Sequence, residues 1–174
     1  STHSFTLFPY TTLFRSRFKS LLISSDGEKY SPEGIEEALV EKSPYIDQVM
    51  LYNNQSNYTT AVIVPNRDQL IRTLKVQGLD LSTEDGRKAA LTILDGEINK
   101  YKKGGDFEGM FPERWLPTCF AVLSEPFTEQ NQMINSTMKM VRGKIEKAYA
   151  ERIAYMYTAA GKQLHNQQNI DALK

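Results

Sequence analysis

The sequence predicts an α+β domain: a small mixed or antiparallel sheet, opened by a β-hairpin, with helices packed on it. Short β-branched runs, above all Val62-Ile63-Val64, suit buried strands. Between them apolar residues recur every three or four positions, as at Leu91, Leu94, Ile98 and Tyr101, which is the helical period. The two kinds of segment are interspersed with no internal repeat and no low-complexity linker. A length of 174 residues, 40% of them hydrophobic and 24% charged, fits one globular domain that folds without disulfide staples.

The first segment, Ser1 to Ser16, is set apart from that fold. It is rich in aromatics and has no acidic residue. It lacks the basic front of a secretory signal, and Pro9 interrupts any apolar core. Thr6 to Ser16 resembles the in-frame translation of a common sequencing adapter. The expected organisation is therefore an artefactual segment over 1–16, a domain over 17–160 and a polar tail over 161–174. On that reading the natural chain continues upstream of Arg17.

Lys19 to Ile23 and Glu28 to Tyr30 flank Ser24-Ser25-Asp26-Gly27. An Asp-Gly pair between strand-like runs marks a hairpin, because glycine takes the positive φ of a tight turn without steric cost. Ser31-Pro32-Glu33 opens a helix: Ser31 is the expected cap, Pro32 suits the first helical position, and Glu33 favours the positive end. Ile46 to Tyr52 and Tyr58 to Pro65 form an antiparallel strand pair across a polar loop. Asp68 to Val76 is a helix, and Ser82 caps a longer one that runs to about Lys102 and ends at Gly104-Gly105. Phe120 to Leu123 is a strand. Met138, Val141, Ile145, Tyr149, Ile153 and Met156 mark a last helix to about Tyr157. The tail from Gly161 is frayed or a short helix.

Composition narrows the function. Lys plus Arg and Asp plus Glu are both 21, and zero net charge argues against a broad electrostatic nucleic-acid surface, though not against a local patch. Cys119 is the single cysteine, so no internal disulfide forms and a reducing compartment is the simpler setting. His3 and His165 lie at opposite ends, which leaves no His/Cys zinc set; no metal site is expected. No apolar run reaches the ~18 residues of a transmembrane segment.

Two stretches carry a family resemblance. The first is Arg17-Phe18-Lys19-Ser20-Leu21-Leu22-Ile23, the turn Ser24-Ser25-Asp26-Gly27, and Ser31-Pro32-Glu33-Gly34-Ile35-Glu36. It resembles the opening of the small C-terminal domain of adenylate-forming enzymes. The second is Phe127-Thr128-Glu129-Gln130-Asn131 followed by Asn135-Ser136-Thr137-Met138-Lys139-Met140-Val141-Arg142. It is similar to the Thr-x-Lys-x-x-Arg element of the long-chain fatty acyl-CoA ligase branch, although other branches place glycine where this chain has Met138.

The resemblance implies a two-step ligase of the AMP-forming type. A fatty acid carboxylate attacks the α-phosphate of ATP, and the thiol of coenzyme A then displaces AMP. A large N-terminal adenylation domain, missing here, would hold ATP, Mg²⁺ and the acyl chain. The small domain would be a lid that gives one lysine to the first step and then rotates. A fragment of this kind is inactive alone. Residue by residue, the resemblance makes Lys139 the catalytic lysine, Lys19 the hinge and Arg17 a nucleotide contact. Ser25, Asp26 and Gly27 become the turn beside the coenzyme A channel, although many members have glycine where this chain has Asp26. The chemistry accounts for a lysine: adenylation concentrates negative charge on carboxylate and phosphate oxygens, and a compact ammonium on a flexible stem reaches both. The resemblance implies a cytoplasmic enzyme, with peripheral membrane contact of the full-length protein left open. Fatty acid, ATP and coenzyme A are the expected partners, without nucleic acid.

The other chemistry-bearing residues read as structural. Cys119 is a small core residue, and Trp115 with Phe111 and Leu116 forms a core or domain-contact cluster. Lys139, Arg142, Lys144 and Lys147 form a helix stripe that Glu146 and Glu151 interrupt, the pattern of a solvated face. A stand-alone α+β binding or regulatory module, in which Lys139 is incidental, is the alternative function.

Overall fold

A computed structural model describes residues 20–174. The segment 1–16, Arg17 and Lys19 lie outside the described residues. The elements in order are β1 (Leu22–Ser24), β2 (Lys29–Tyr30), α1 (Glu33–Lys42), β3 (Ile46–Tyr52), β4 (Asn54–Ser56), β5 (Thr59–Pro65), α2 (Arg67–Val76), α3 (Glu84–Asn99), a 3₁₀ turn (Glu113–Trp115), β6 (Pro117–Val122), α4 (Arg142–Ala148), α5 (Ala150–Tyr155) and α6 (Gln167–Ala172). The α+β class is the predicted one.

Two three-stranded sheets form, ordered β2-β1-β4 and β3-β5-β6. The predicted hairpin is the β1–β2 antiparallel pair, with Gly27 at φ 87° in its turn. The polar loop after β3 does more than connect: its residues 54–56 form β4, which runs parallel to β1 and binds the hairpin to the rest of the domain. In the larger sheet β3 and β5 are antiparallel, as predicted, and β5 and β6 are parallel. A parallel pair needs a long crossover, which α2 and α3 supply.

Every residue of β5 is buried, because helices cover both faces of the larger sheet. Strand side chains alternate between faces. Val49, Leu51, Ala61, Ile63, Phe120 and Val122 therefore join α1, α2, α3 and α6 in one core. Met50, Val62, Val64, Cys119 and Ala121 join Ile145, Ile153 and Met156 of the α4–α5 region in the other, with Phe127 and Ile134. The two free edges are closed by side chains. Glu36 accepts from the Leu51 N–H on β3 at 2.7 Å. On β6, Asn169 accepts from Val122 N–H and donates to Phe120 C=O, both at 3.0 Å.

Several local expectations shift. No side chain caps α1, so Ser31 does not serve; Pro32 takes the cap position in helical conformation. Thr83 rather than Ser82 caps α3, accepting from Gly86 N–H at 3.1 Å. That helix ends at Asn99, before the glycines. The last helix is two short ones, α4 and α5, meeting at Tyr149 (φ −112°, ψ 24°). Hydrogen bonds from Tyr149 N–H to Ile145 C=O and from Ile153 N–H to Tyr149 C=O run through the junction, so it is a bend and the apolar stripe survives it. Met138 lies outside this helix and is 72% exposed. The segment beyond 160 ends in α6, capped by Asn166, with Ile170 and Leu173 buried in the first core.

Candidate functional site

Lys139 stands on an exposed turn between the second core and α4. Ile134 and Met140 pair as an antiparallel bridge at the base of the turn. Asn135 N–H donates to Lys139 C=O at 2.9 Å and closes it. Inside the turn the Asn135 Oδ1 accepts from Thr137 N–H at 3.0 Å, from the Thr137 hydroxyl at 2.7 Å and from Lys139 N–H at 3.0 Å. Short polar side chains that bond backbone two to four residues on are what make Asn-Ser-Thr a turn sequence. Met138, just before the lysine, has φ 64°. That left-handed region suits glycine, which explains why a chain with this turn would carry glycine there.

Arg142 begins α4 three residues after the lysine. Its two terminal nitrogens bind the two carboxylate oxygens of Glu36, Nη1 to Oε2 at 2.9 Å and Nη2 to Oε1. The side chains are 19% and 6% exposed, so this is a buried pair rather than a solvated stripe. Burial works against the Arg142 cation, but the Glu36 hydrogen bonds and charge outweigh it and hold the guanidinium above its ordinary pKa. Lys144 does face outward, bonded to Gln132.

A groove of about 1080 Å³ runs beside the turn, between α1 and the first half of β3. Its lining includes Ser20, Asn135, Met138, Lys139 and Arg142 together with the acids Glu33, Glu37, Glu41 and Asp47. Its acids outnumber its bases, so the groove alone is a poor seat for a polyanionic nucleotide.

The hairpin turn is built differently. Asp26 braces it by accepting from Glu28 N–H at 3.1 Å and from the Ser24 hydroxyl. Ser25 N–H donates to Ser56 C=O at 3.1 Å. Behind the turn Glu28 takes Arg114 Nε and Nη2, both at 2.7 Å, and the Trp115 indole N–H at 3.0 Å. Trp115 in turn stacks on Tyr30 with ring centroids 5.3 Å apart. Thus the structure brings Asn135, Lys139 and Arg142 together, and no hydrogen bond joins the Ser25–Gly27 turn to them. Ser20, the residue after Lys19, lines the Lys139 groove.

Cys119 is buried among apolar neighbours, and burial pushes its thiol up to about 11, so it is no nucleophile at neutral pH. Among the described residues no group of three or more His, Cys, Asp or Glu converges as a metal site. Nor, among them, is any helix long and apolar enough to cross a membrane.

The hairpin anchor has a pH signature. Arg114 hydrogen bonds first, then the Trp115 N–H, hold Glu28 below its ordinary value of 4.5. A depressed carboxylate contributes stability above its ordinary value and loses it as pH falls through the lowered one. Trp115 is the single tryptophan, so its emission reports the bond. An emission change with a midpoint below 4.5, absent in Glu28→Gln, is expected while far-UV dichroism holds. A change that persists in Glu28→Gln would assign it to another group.

No protein-family model matches the chain. It is 25% identical over 153 residues to a probable acyl-activating enzyme 16 of Arabidopsis thaliana, covering 83% of this chain and 19% of that protein. It is 26% identical over 148 residues to fatty acyl-CoA synthetase B of Dictyostelium discoideum, covering 82% of this chain and 21% of that protein. Its fold matches the adenylation domain of a carboxylate reductase from Mycobacterium chelonae, with a TM-score of 0.62 and 24% identity over 80% of this chain and 19% of that one. These likenesses indicate the adenylate-forming enzyme superfamily. The fold is that of a domain of such enzymes, and the chain spans about a fifth of the length of each of these relatives. Within the superfamily the likenesses extend to both acyl-CoA synthetases and carboxylate reductases.

Glu36, Asn135 and Arg142 all lie in the stretches that carry the resemblance, yet no local pattern there marks their contacts. The Glu36–Arg142 pair spans 106 residues, and no local pattern announces a partner that distant. The polar run Asn135-Ser136-Thr137 was the available sign that Lys139 sits in a turn.

Proposed function

We propose that this chain is the small C-terminal domain of an AMP-forming acyl-CoA ligase of the long-chain fatty acid type. The enzyme couples ATP to a carboxylate as acyl-AMP and passes the acyl group to coenzyme A. The observation that carries the reading is Lys139 itself: an exposed lysine on a side-chain-braced turn, at the position the family motif gives its lysine. An ammonium held there stabilises charge shared between carboxylate and α-phosphate oxygens as they react. The acidic groove beside it supports a division of labour in which ATP rests on a separate, larger domain and Lys139 reaches across. Mg²⁺ would accompany ATP on that domain, as the family resemblance implies.

In this reading Lys19 is the hinge, next to the groove-lining Ser20, and Arg17 contacts the nucleotide. The turn of Ser25, Asp26 and Gly27 flanks the coenzyme A channel, with Glu28, Arg114 and Trp115 fixing it from behind. A second reading, favoured by 26% identity over 151 residues to a carboxylic acid reductase of Mycobacterium tuberculosis, keeps the adenylation and sends the acyl group to a reductive step.

Product analysis tests both. The complete protein carrying this chain, given palmitate, ATP, Mg²⁺ and coenzyme A, is expected to yield AMP and palmitoyl-CoA. Palmitaldehyde formed with NADPH instead would favour the second reading. No palmitate-dependent AMP would leave the chain a binding or regulatory module.

A further inference from the structure

We propose that Asn135, Arg142 and Glu36 are positioning residues that together fix where Lys139 can reach. This rests on the reading of Lys139 as the adenylating lysine and adds residues that act through it. A lysine stem is flexible, so the place its ammonium can occupy is set by its backbone. Residues 135–139 are exposed, and apolar packing holds only the base of their turn, through Ile134 and Met140. Beside the backbone bonds that close the turn, two side-chain tethers hold the rest.

The first tether is Asn135, whose single side-chain oxygen takes Thr137 twice and Lys139 N–H once. The second runs from Arg142 through both oxygens of Glu36 to the Leu51 N–H on the open edge of β3. Lys139 is thereby tied to the sheet itself. A two-pronged guanidinium–carboxylate pair fixes an angle as well as a distance. A buried ion pair is a poor device for stability, since well-packed apolar residues often do as well. Its value here is geometric. The φ of 64° at Met138 agrees with this, because a non-glycine residue stays in that region only where its surroundings hold it.

The test separates the half-reactions in the complete protein, with palmitate as the probe acid. Palmitate-dependent exchange of labelled pyrophosphate into ATP reads the first step, and palmitoyl-CoA formed from supplied palmitoyl-AMP reads the second. Asn135→Ala removes the accepting oxygen at an exposed position, and Arg142→Lys keeps the charge but loses the fork. A displacement of ~1 Å at a reacting centre costs on the order of 10²-fold. Exchange is expected to fall about 10- to 100-fold in both variants, with the second step unchanged; the melting temperature holds in Asn135→Ala and drops in Arg142→Lys, which loosens the buried pair without unfolding the domain. Asn135→Asp keeps the accepting oxygen and restores most of the exchange. Wild-type exchange in Asn135→Ala and Arg142→Lys, beside a crippled Lys139→Ala, would overturn the positioning role alone. So would an equal fall in both steps, or no recovery in Asn135→Asp. Wild-type exchange in Lys139→Ala would instead overturn the underlying reading of the lysine.

Discussion

Glu36→Ala should destabilise this chain by about 3–5 kcal/mol, the usual result of leaving one member of a buried ion pair without its partner. The carboxylate does two jobs at once. It neutralises the Arg142 guanidinium, whose side chain is 19% exposed, and it satisfies the Leu51 N–H at 2.7 Å. Alanine leaves both donors unmatched. Replacing Glu36 and Arg142 together by methionine removes the buried charges and should recover part of the loss. About 1–3 kcal/mol should remain, because the Leu51 N–H still lacks an acceptor. Urea denaturation of both variants measures this as a shift in midpoint at constant slope. A loss below about 1 kcal/mol in Glu36→Ala would mean that water reaches the pair and that it does not tie α4 to the sheet.

The core was legible where period and residue type agreed. Val62-Ile63-Val64 reads as a central strand and is buried on both faces, and Leu91, Leu94 and Ile98 share one buried helix face. Where the two disagreed, the sequence misled. Met138 falls on the apolar stripe of the last helix, but Asn135 holds its segment in a turn and leaves it in solvent. Arg142 falls in a charged stripe that Glu146 and Glu151 interrupt, the pattern of a solvated face, but its carboxylate partner comes from α1, 106 residues away. The tail looked polar because Ile170 and Leu173 are sparse among its residues. Both are core residues, and Asn169 hydrogen-bonds the backbone of β6. Pairings of this kind depend on which elements the fold brings together, which local pattern does not encode.

If Lys139 serves the adenylation step of an acyl-activating enzyme, the first half-reaction depends on its ammonium. Palmitate-dependent exchange of labelled pyrophosphate into ATP isolates the first half-reaction, compared between the complete protein and its Lys139→Ala variant. Lys139 lies on an exposed turn, so alanine there leaves the fold intact. Removing a positioned charge contact from a transition state costs ~10²–10³ in rate. Exchange should fall by about that factor, while thioester formation from supplied palmitoyl-AMP stays within a few-fold of wild type. An unchanged exchange rate, or an equal fall in both half-reactions, would contradict the assignment of Lys139.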